Sequence, residues 1–482
     1  MNTKKGVSFI PKALLLTALP VLMLSGCISA PETKSQQSVR DLHYQIPPSS
    51  MTTSGSGYTQ MKWWRSYHSE TLNQLVDQGL HANPNLKAQV HVLQQQFDLY
   101  QAERGSLLFP TVNLGVNTER QKLFFGPGVL FGPFNLYNTG VNVSYGIDLW
   151  GASRLALKEI LSQLQAQNFQ YEASEQTLAA NIVTAAMNLA YELKLLDLQQ
   201  RVLADQNRQL SLLKIQYQSG AIDQDSLLAQ EQTLSNAQAV IPQTQKSIEQ
   251  LKHQLNALLG RSPDAQIDSG DLAQMKLPAP VPVALPAQLL VQRPDIRAAE
   301  ALWDAAASQV GVAKANMLPQ FTLTASTAFD AITLSKLFRS KSLVWALGGN
   351  LTQPLFDGGA LKNKKKAAIE AMQSAGLVYR QTVVTAFQQV ADALTALQHD
   401  QQTLQYRTNS LQQEETRLRL AQTRYVSGAT SLSSLISEQS SLKNIQITVL
   451  AAQSSLLADS AALYQAMGGN WSGKKSGLPQ QG

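Results

Sequence analysis

A single cysteine, Cys27, stands in 482 residues, which excludes an intrachain disulfide framework and any multi-cysteine zinc or iron-sulfur site. Charge is also scarce: 15% of residues are Asp, Glu, Lys or Arg, against about 25% in ordinary soluble domains. Gln, Asn, Ser and Thr must therefore cover much of the wetted surface. Lys and Arg total 39 and Asp and Glu 33, a net charge of +6; three of those lysines, Lys4, Lys5 and Lys12, lie in a segment expected to be removed, which leaves +3. That balance carries no nucleic-acid signature. Long apolar runs are missing after Leu24, so no later segment is expected to cross a membrane as a helix, and membrane residence requires lipid or strands. The six histidines, His43, His68, His81, His91, His253 and His399, show neither metal-ligand nor triad-like spacing. Gly126-Pro127-Gly128 lacks the strand-then-helix context of a phosphate loop. No enzyme site, cofactor or metal is expected.

The N-terminus carries the first positive signal. Lys4, Lys5 and Lys12 precede an apolar run from Ala13 to Leu24, which ends in Leu24-Ser25-Gly26-Cys27. A basic start with so short an apolar run reads as an export signal rather than a spanning helix. Small residues before a lone cysteine mark the cleavage site of a bacterial lipoprotein. Residues 1–26 are then cleaved, Cys27 becomes lipid acceptor and new N-terminus, and Ile28 in place of an aspartate favours the outer membrane. The alternative is a buried core cysteine.

An internal repeat is the second signal. Tyr217-Gln218-Ser219-Gly220-Ala221 returns as Tyr425-Val426-Ser427-Gly428-Ala429, displaced by 208 positions. Upstream, Ile182, Leu189, Leu196, Leu203, Leu210 and Tyr217 stand seven apart, matched by Val390, Leu397, Leu404, Leu411, Leu418 and Tyr425. Seven-residue spacing keeps one narrow apolar seam facing a partner helix, so each copy predicts a helical hairpin. The first long helix has no Pro or Gly from Ala152 to Gln218, 67 residues, which at 1.5 Å per residue reaches ~100 Å. The second runs from Leu361 to Val426 with Gly376 as a weak interruption. Gly220 and Gly428 turn the chain, and shorter helices return, the first kinked at Pro242. Two further helices open at Pro84 and Pro294.

Strands are expected between the short and long helices of each copy. Val112, Leu114 and Val116 alternate with Asn113, Gly115 and Asn117; Tyr137 through Ile147 alternates likewise; so do Phe321, Leu323 and Ala325 with Thr322, Thr324 and Ser326, and Trp345, Leu347 and Leu351 with Ala346, Gly348 and Asn350. One apolar and one small polar face suits a transmembrane barrel with a watery lumen, although a half-buried sheet shows the same alternation. Phe124, Phe125, Phe131, Phe134 and Trp150 are candidate interfacial girdles. Four strands cannot close a barrel. Three copies supply twelve, the smallest set that leaves a bore, so the expected fold is mixed α+β: a 12-stranded trimeric barrel continuous with a long helical coiled-coil barrel. The organisation expected is a lipid-anchored linker over 27–60, a first repeat over 61–268, a Pro-rich linker over 269–293, a second repeat over 294–470 and a tail over 471–482.

With Cys27, the Trp63-Trp64 pair, Ile147-Asp148-Leu149-Trp150-Gly151, Pro354-Leu355-Phe356-Asp357-Gly358-Gly359 and the doubled Tyr-x-x-Gly turn, the chain resembles the outer membrane efflux lipoproteins of the TolC family. The resemblance implies a homotrimeric channel, anchored in outer membrane lipid and extending into the periplasm. It would dock onto a periplasmic adaptor (membrane fusion) protein and an inner-membrane pump of the RND or major facilitator type to export drugs or other small toxic compounds. The exit duct of a type I protein secretion system is the alternative. It also implies adaptor contact at Ser219, Gly220, Ala221, Ser427, Gly428 and Ala429. Asp223, Asp225 and Arg424 are aperture candidates, with the two aspartates equally readable as caps of the returning helix. Lys362, Lys364, Lys365 and Lys366 suit either lipid phosphates or a solvated cluster.

Overall fold

A computed structural model describes residues 28–33, 62–124, 130–271, 274–278 and 292–469. Cys27, Phe125, Gly126-Pro127-Gly128, most of the proline stretch after Pro278 and the tail from residue 470 lie outside these residues. The helices are α1 (Glu70–Ala82), α2 (Pro84–Leu108), α3 (Ala152–Gln218), α4 (Gln224–Leu258), α5 (Pro294–Ala315), α6 (Ala360–Val426) and α7 (Leu432–Ala466). The strands are β1 (Thr111–Phe124), β2 (Leu130–Ile147), β3 (Gln320–Ala331) and β4 (Leu343–Thr352). Two compact units result. Of the described residues, one comprises those within 28–33, 97–164 and 302–376; the other comprises those within 62–96, 165–301 and 377–469.

The first unit holds a four-stranded antiparallel sheet in the order β1-β2-β3-β4. The four alternating patterns fall into register. Val112 lies opposite Val143, Val143 opposite Ala325 and Ala325 opposite Leu347; the next apolar row is Leu114, Val141, Thr327 and Trp345. Between them runs the row Asn113, Asn142, Ser326 and Ala346. Because successive side chains point to opposite faces, one face is mainly apolar, broken by Thr139 and Thr327, and the other carries mostly small and polar residues. The apolar face is bare in a single chain, with Leu114 76% and Trp345 78% exposed. Trp150 donates from Nε1 to the Pro319 carbonyl at 2.7 Å, tying the exit of β2 to the entry of β3. Gly376 is no mere interruption: a Cβ there would come within 3.1 Å of the Trp303 ring, so the helix gives up a side chain to seat that indole.

The second unit holds the hairpins. α3 and α6 are each 67 residues long, and α4 passes through Pro242 without ending. The leucine seam is best buried near the base, where Ile182, Leu189, Leu255, Leu456 and Leu463 are 0–2% exposed. It thins toward the tips, where Tyr217 and Tyr425 are exposed. Helix α1 was not expected. It is preceded by a 3-10 turn, Trp63–Tyr67, whose aromatic rings form the base cluster. Trp63 stacks on Tyr464 at 5.4 Å, and the Tyr67 hydroxyl bonds Ser460 Oγ at 2.8 Å. Burial of that phenol pushes its pKa up. Ser69 caps α1 by accepting from Leu72 N at 3.1 Å. Asp271 clamps the same helix end, accepting from Ser69 Oγ and from the amides of Glu70 and Thr71, and these bonds hold its carboxyl down at about 2.

Candidate functional site

Each hairpin tip is built by the same backbone device. At the first, Gly220 N donates to the Tyr217 carbonyl at 3.0 Å and Ala221 N to the Gln216 carbonyl at 2.8 Å. At the second, Gly428 N donates to Tyr425 O at 3.0 Å and Ala429 N to Arg424 O at 2.7 Å. This paired closure satisfies the last carbonyls of a helix and needs a left-handed residue. Gly220 and Gly428 both have φ of 74°. Nothing lies within 4 Å of where a Cβ would stand at either position, so the backbone angle, not crowding, demands glycine. Ser219 and Ser427 turn inward, donating from Oγ to Gln216 O and Arg424 O at 2.8 and 3.0 Å.

The first residues of the return helices differ. Asp223 is the N-cap of α4, its Oδ1 accepting from Ser226 N at 2.9 Å, and this bonding lowers its pKa. Ser431 takes the same place at α7, accepting from Ser434 N at 3.2 Å. Asp225 lies in the first turn of α4. Asp225 and the Arg424 guanidinium have no ion-pair partner among the described residues.

Below the tips, polar side chains cross the seam. Gln206 accepts from Gln230 at 2.8 Å, joining α3 to α4. At the matching place of the second hairpin, Arg417 reaches Glu414 at 3.1 Å on its own helix and Glu438 of α7 at 2.9 Å. The two hairpins are joined by Asp205 of α3 paired with Lys443 of α7, by Gln206 with Ser440 at 3.3 Å and by Gln209 with Ser433 at 3.4 Å. Sequence reasoning missed this cross-link. The signal available was the polar companions flanking the leucine seam, which periodicity marks only as exceptions.

At the sheet, Asp357 of the Pro354–Gly359 loop caps α6, accepting from Gly359 N at 2.8 Å and Leu361 N at 2.7 Å, and these bonds lower its pKa. Lys362, Lys364 and Lys366 follow on the first two turns, exposed, with Lys365 half-buried. Among the described residues no cluster of His, Cys, Asp and Glu is arranged to hold a metal, and no helix is long and apolar enough to cross a membrane.

Known proteins share this arrangement. The outer membrane efflux protein family model matches residues 75–261 and 285–469. The fusaric acid resistance protein FusA of Burkholderia cepacia is 28% identical over 375 residues, 75% of this chain and 70% of that protein. The pyoverdine export outer membrane protein OpmQ of Pseudomonas putida is 28% identical over 398 residues, 81% and 83% of the two. Among solved structures, the outer membrane protein VceC of Vibrio cholerae matches with a TM-score of 0.75 at 28% identity, covering 86% of this chain and 99% of that one. The MtrE outer membrane channel of Neisseria gonorrhoeae, in its open state, matches with a TM-score of 0.78 at 26% identity, covering 92% and 98%. With two family matches falling on the two hairpin repeats, this chain belongs to the outer membrane efflux protein family and is an outer membrane component of an efflux system.

Proposed function

We propose that three copies of this chain form the exit channel of a tripartite efflux system, exporting small toxic compounds of the class for which its relatives are named. The observation that carries the reading is the sheet: four strands, one exposed apolar face, and β1 and β4 each unpaired on one side among the described residues. Bare sheet edges must be paired or covered, and pairing β4 of one copy with β1 of the next closes twelve strands after three copies. Eight strands from two copies would be filled by side chains; twelve leave a bore. The polar rows beginning at Asn113 then line the water path, and the apolar rows meet lipid.

Lipid anchoring at Cys27 fits the same picture. Ile28, its neighbour, has its carbonyl oxygen 3.6 Å from the Cβ position of Gly151, just past the end of β2, where the sheet gives way to helix. An acyl chain on Cys27 would enter the membrane beside the inner rim of the barrel.

The Ser219-Gly220-Ala221 and Ser427-Gly428-Ala429 tips are the surfaces offered to the periplasmic adaptor, beyond which stands the inner-membrane pump. Asp223 is already engaged as a cap, so Asp225 and Arg424 are the charges left to act at the aperture. Replacing Asp225 with Ala is expected to raise single-channel conductance or change cation preference. The decisive experiment pairs site-directed crosslinking from Ser219 and Ser427 with susceptibility profiling of a deletion strain. Adaptor capture and lost drug tolerance support the proposal; unchanged tolerance with loss of a secreted protein would transfer the chain to protein secretion.

A further inference from the structure

The hairpin between β3 and β4 lies at the end of the sheet away from the helices. It is a built loop rather than a loose one. Two 3-10 turns, Leu334–Lys336 and Ser340–Ser342, are joined by a bond from Ser342 Oγ to Lys336 O at 2.8 Å, and the first is closed by Leu337 N donating to Leu334 O at 3.2 Å. Leu337 is buried at 5% exposure and acts as its peg. Phe338 meets Phe329 of β3 edge to face at 5.7 Å, yet remains 74% exposed.

Two kinds of side chain stand outward on this frame. Ile332, Leu334 and Phe338 are 59–74% exposed. Between and beside them are Lys336, Arg339 and Lys341, all exposed and without a carboxylate partner among the described residues. Apolar groups that wet themselves at a barrel end are expected where they can enter lipid, and three unpaired cations in six residues call for anions. Across the sheet, Arg120 continues the apolar face of β1 beyond Val116 and Thr118, by the alternation of the strand, adding a further cation at the same level.

We propose that this hairpin docks on the phosphorylated glycolipid of the outer leaflet, its apolar residues among the acyl chains and Lys336, Arg339 and Lys341 on the phosphates of the lipid headgroup. The assignment rests on the proposed insertion of the sheet, which puts the hairpin end outside when the helices are periplasmic. Charge complementarity selects this occupant. A zwitterionic lipid offers no excess of anions, whereas a diphosphorylated glycolipid presents several within reach of one short loop, and each Lys or Arg near such a surface contributes about a factor of five in affinity.

The test uses the full-length channel purified in nonionic detergent and fluorescent hexa-acylated lipid A carrying both phosphates. The triple variant K336Q/R339Q/K341Q is expected to bind it on the order of a hundredfold more weakly. The charge-retaining triple variant K336R/R339K/K341R should bind within about threefold of the parent, given the shared charge. Lipid A stripped of its phosphates should bind the parent as weakly as the Gln variant binds the intact lipid. Equal binding by the parent and the Gln variant overturns the proposal, and so does equally tight binding of phosphatidylglycerol, which would make the loop a general anion contact. Planar-bilayer conductance and flotation with liposomes separate the two readings. If the parent carrying Asp225→Ala neither conducts nor floats with liposomes, the membrane insertion itself fails; if the parent and all variants float with liposomes but lipid A binding does not change, only the glycolipid site fails.

Discussion

In each repeat the residue before the helix-opening proline holds the last carbonyl of the return helix, but the two repeats do so with different chemistry. In the first, Asn83 donates from Nδ2 to Leu258 O at 2.8 Å while its Oδ1 accepts from Leu86 N at 3.0 Å. In the second, Arg293 donates to Ala466 O at 2.6 Å, to Gln389 at 2.9 Å and through two bonds to Asp295. The substitution of charge for neutrality recurs at two further places, and is reversed at one, where Lys214 pairs with Glu231 in the first hairpin and Gln422 and Gln439 stand in the second. Where the first copy pairs Gln206 with Gln230, the second holds Glu414 and Glu438 through Arg417, and Glu414 Oε1 and Glu438 Oε2 are buried with no partner. Where the first has Leu251, the second has Asp459, hydrogen-bonded to Asp400, and burial with that carboxyl beside it raises Asp459 to about 6. The backbone was duplicated faithfully; the polar side chains were free to diverge because a seam can be closed by either kind of bond.

Replacing Arg293 with Ala should have the largest effect, about 2–3 kcal/mol, since it strips a buried charge-assisted network. The matching Asn83→Ala should cost roughly 1–2 kcal/mol. Thermal unfolding of the two proteins measures the difference, and equal losses would break the comparison. Next, E414Q/E438Q copies the first hairpin into the second. A double-mutant cycle should return a coupling of about 0.5–2 kcal/mol between the two sites, because both share Arg417; zero coupling would mean that the arginine serves only one. Gly220→Ala and Gly428→Ala share one φ and one open surround, so each should lose about 1 kcal/mol of tip stability. Any inequality in drug tolerance between them then reports docking, not folding.

The smallest effect concerns pH. Asp459 titrates higher in the folded chain than in the unfolded one, so its contribution favours folding below about pH 4 and is lost as pH rises through about 6. Stability measured from pH 4 to 7 should carry that decline in the parent and lose it in Asp459→Asn. Asp271, held down at about 2, acts in the opposite sense: its support of α1 is present above about pH 4 and fades toward pH 2.

The architecture was legible where local rules acted alone. Absence of Pro and Gly from Ala152 to Gln218 gave a helix with those bounds, and alternation in four separate stretches gave four strands, whose register then set apolar beside apolar except at Thr139 and Thr327. Strand lengths were less legible: β1 runs on to Phe124 and β2 begins at Leu130, well beyond the regular alternation, because pairing with a neighbour sustains extended backbone where the pattern fades. The sequence also offered cap and gate as equals at Asp223; the structure shows the cap bond. Arg293 and Asp205 were invisible as anchors, since their partners lie 173 and 238 residues away, and no periodicity reports a bond of that reach.

The divergence of the two seams sets a limit on symmetry. A ring of three such chains presents six tips with near-identical backbone turns, yet the supports beneath them differ: the first hairpin sets an ion pair, Lys214 with Glu231, above its amide pair, whereas the second keeps its charges at Glu414, Arg417 and Glu438. Any protein that grasped all six by one rule would meet two different arrangements of charge in turn.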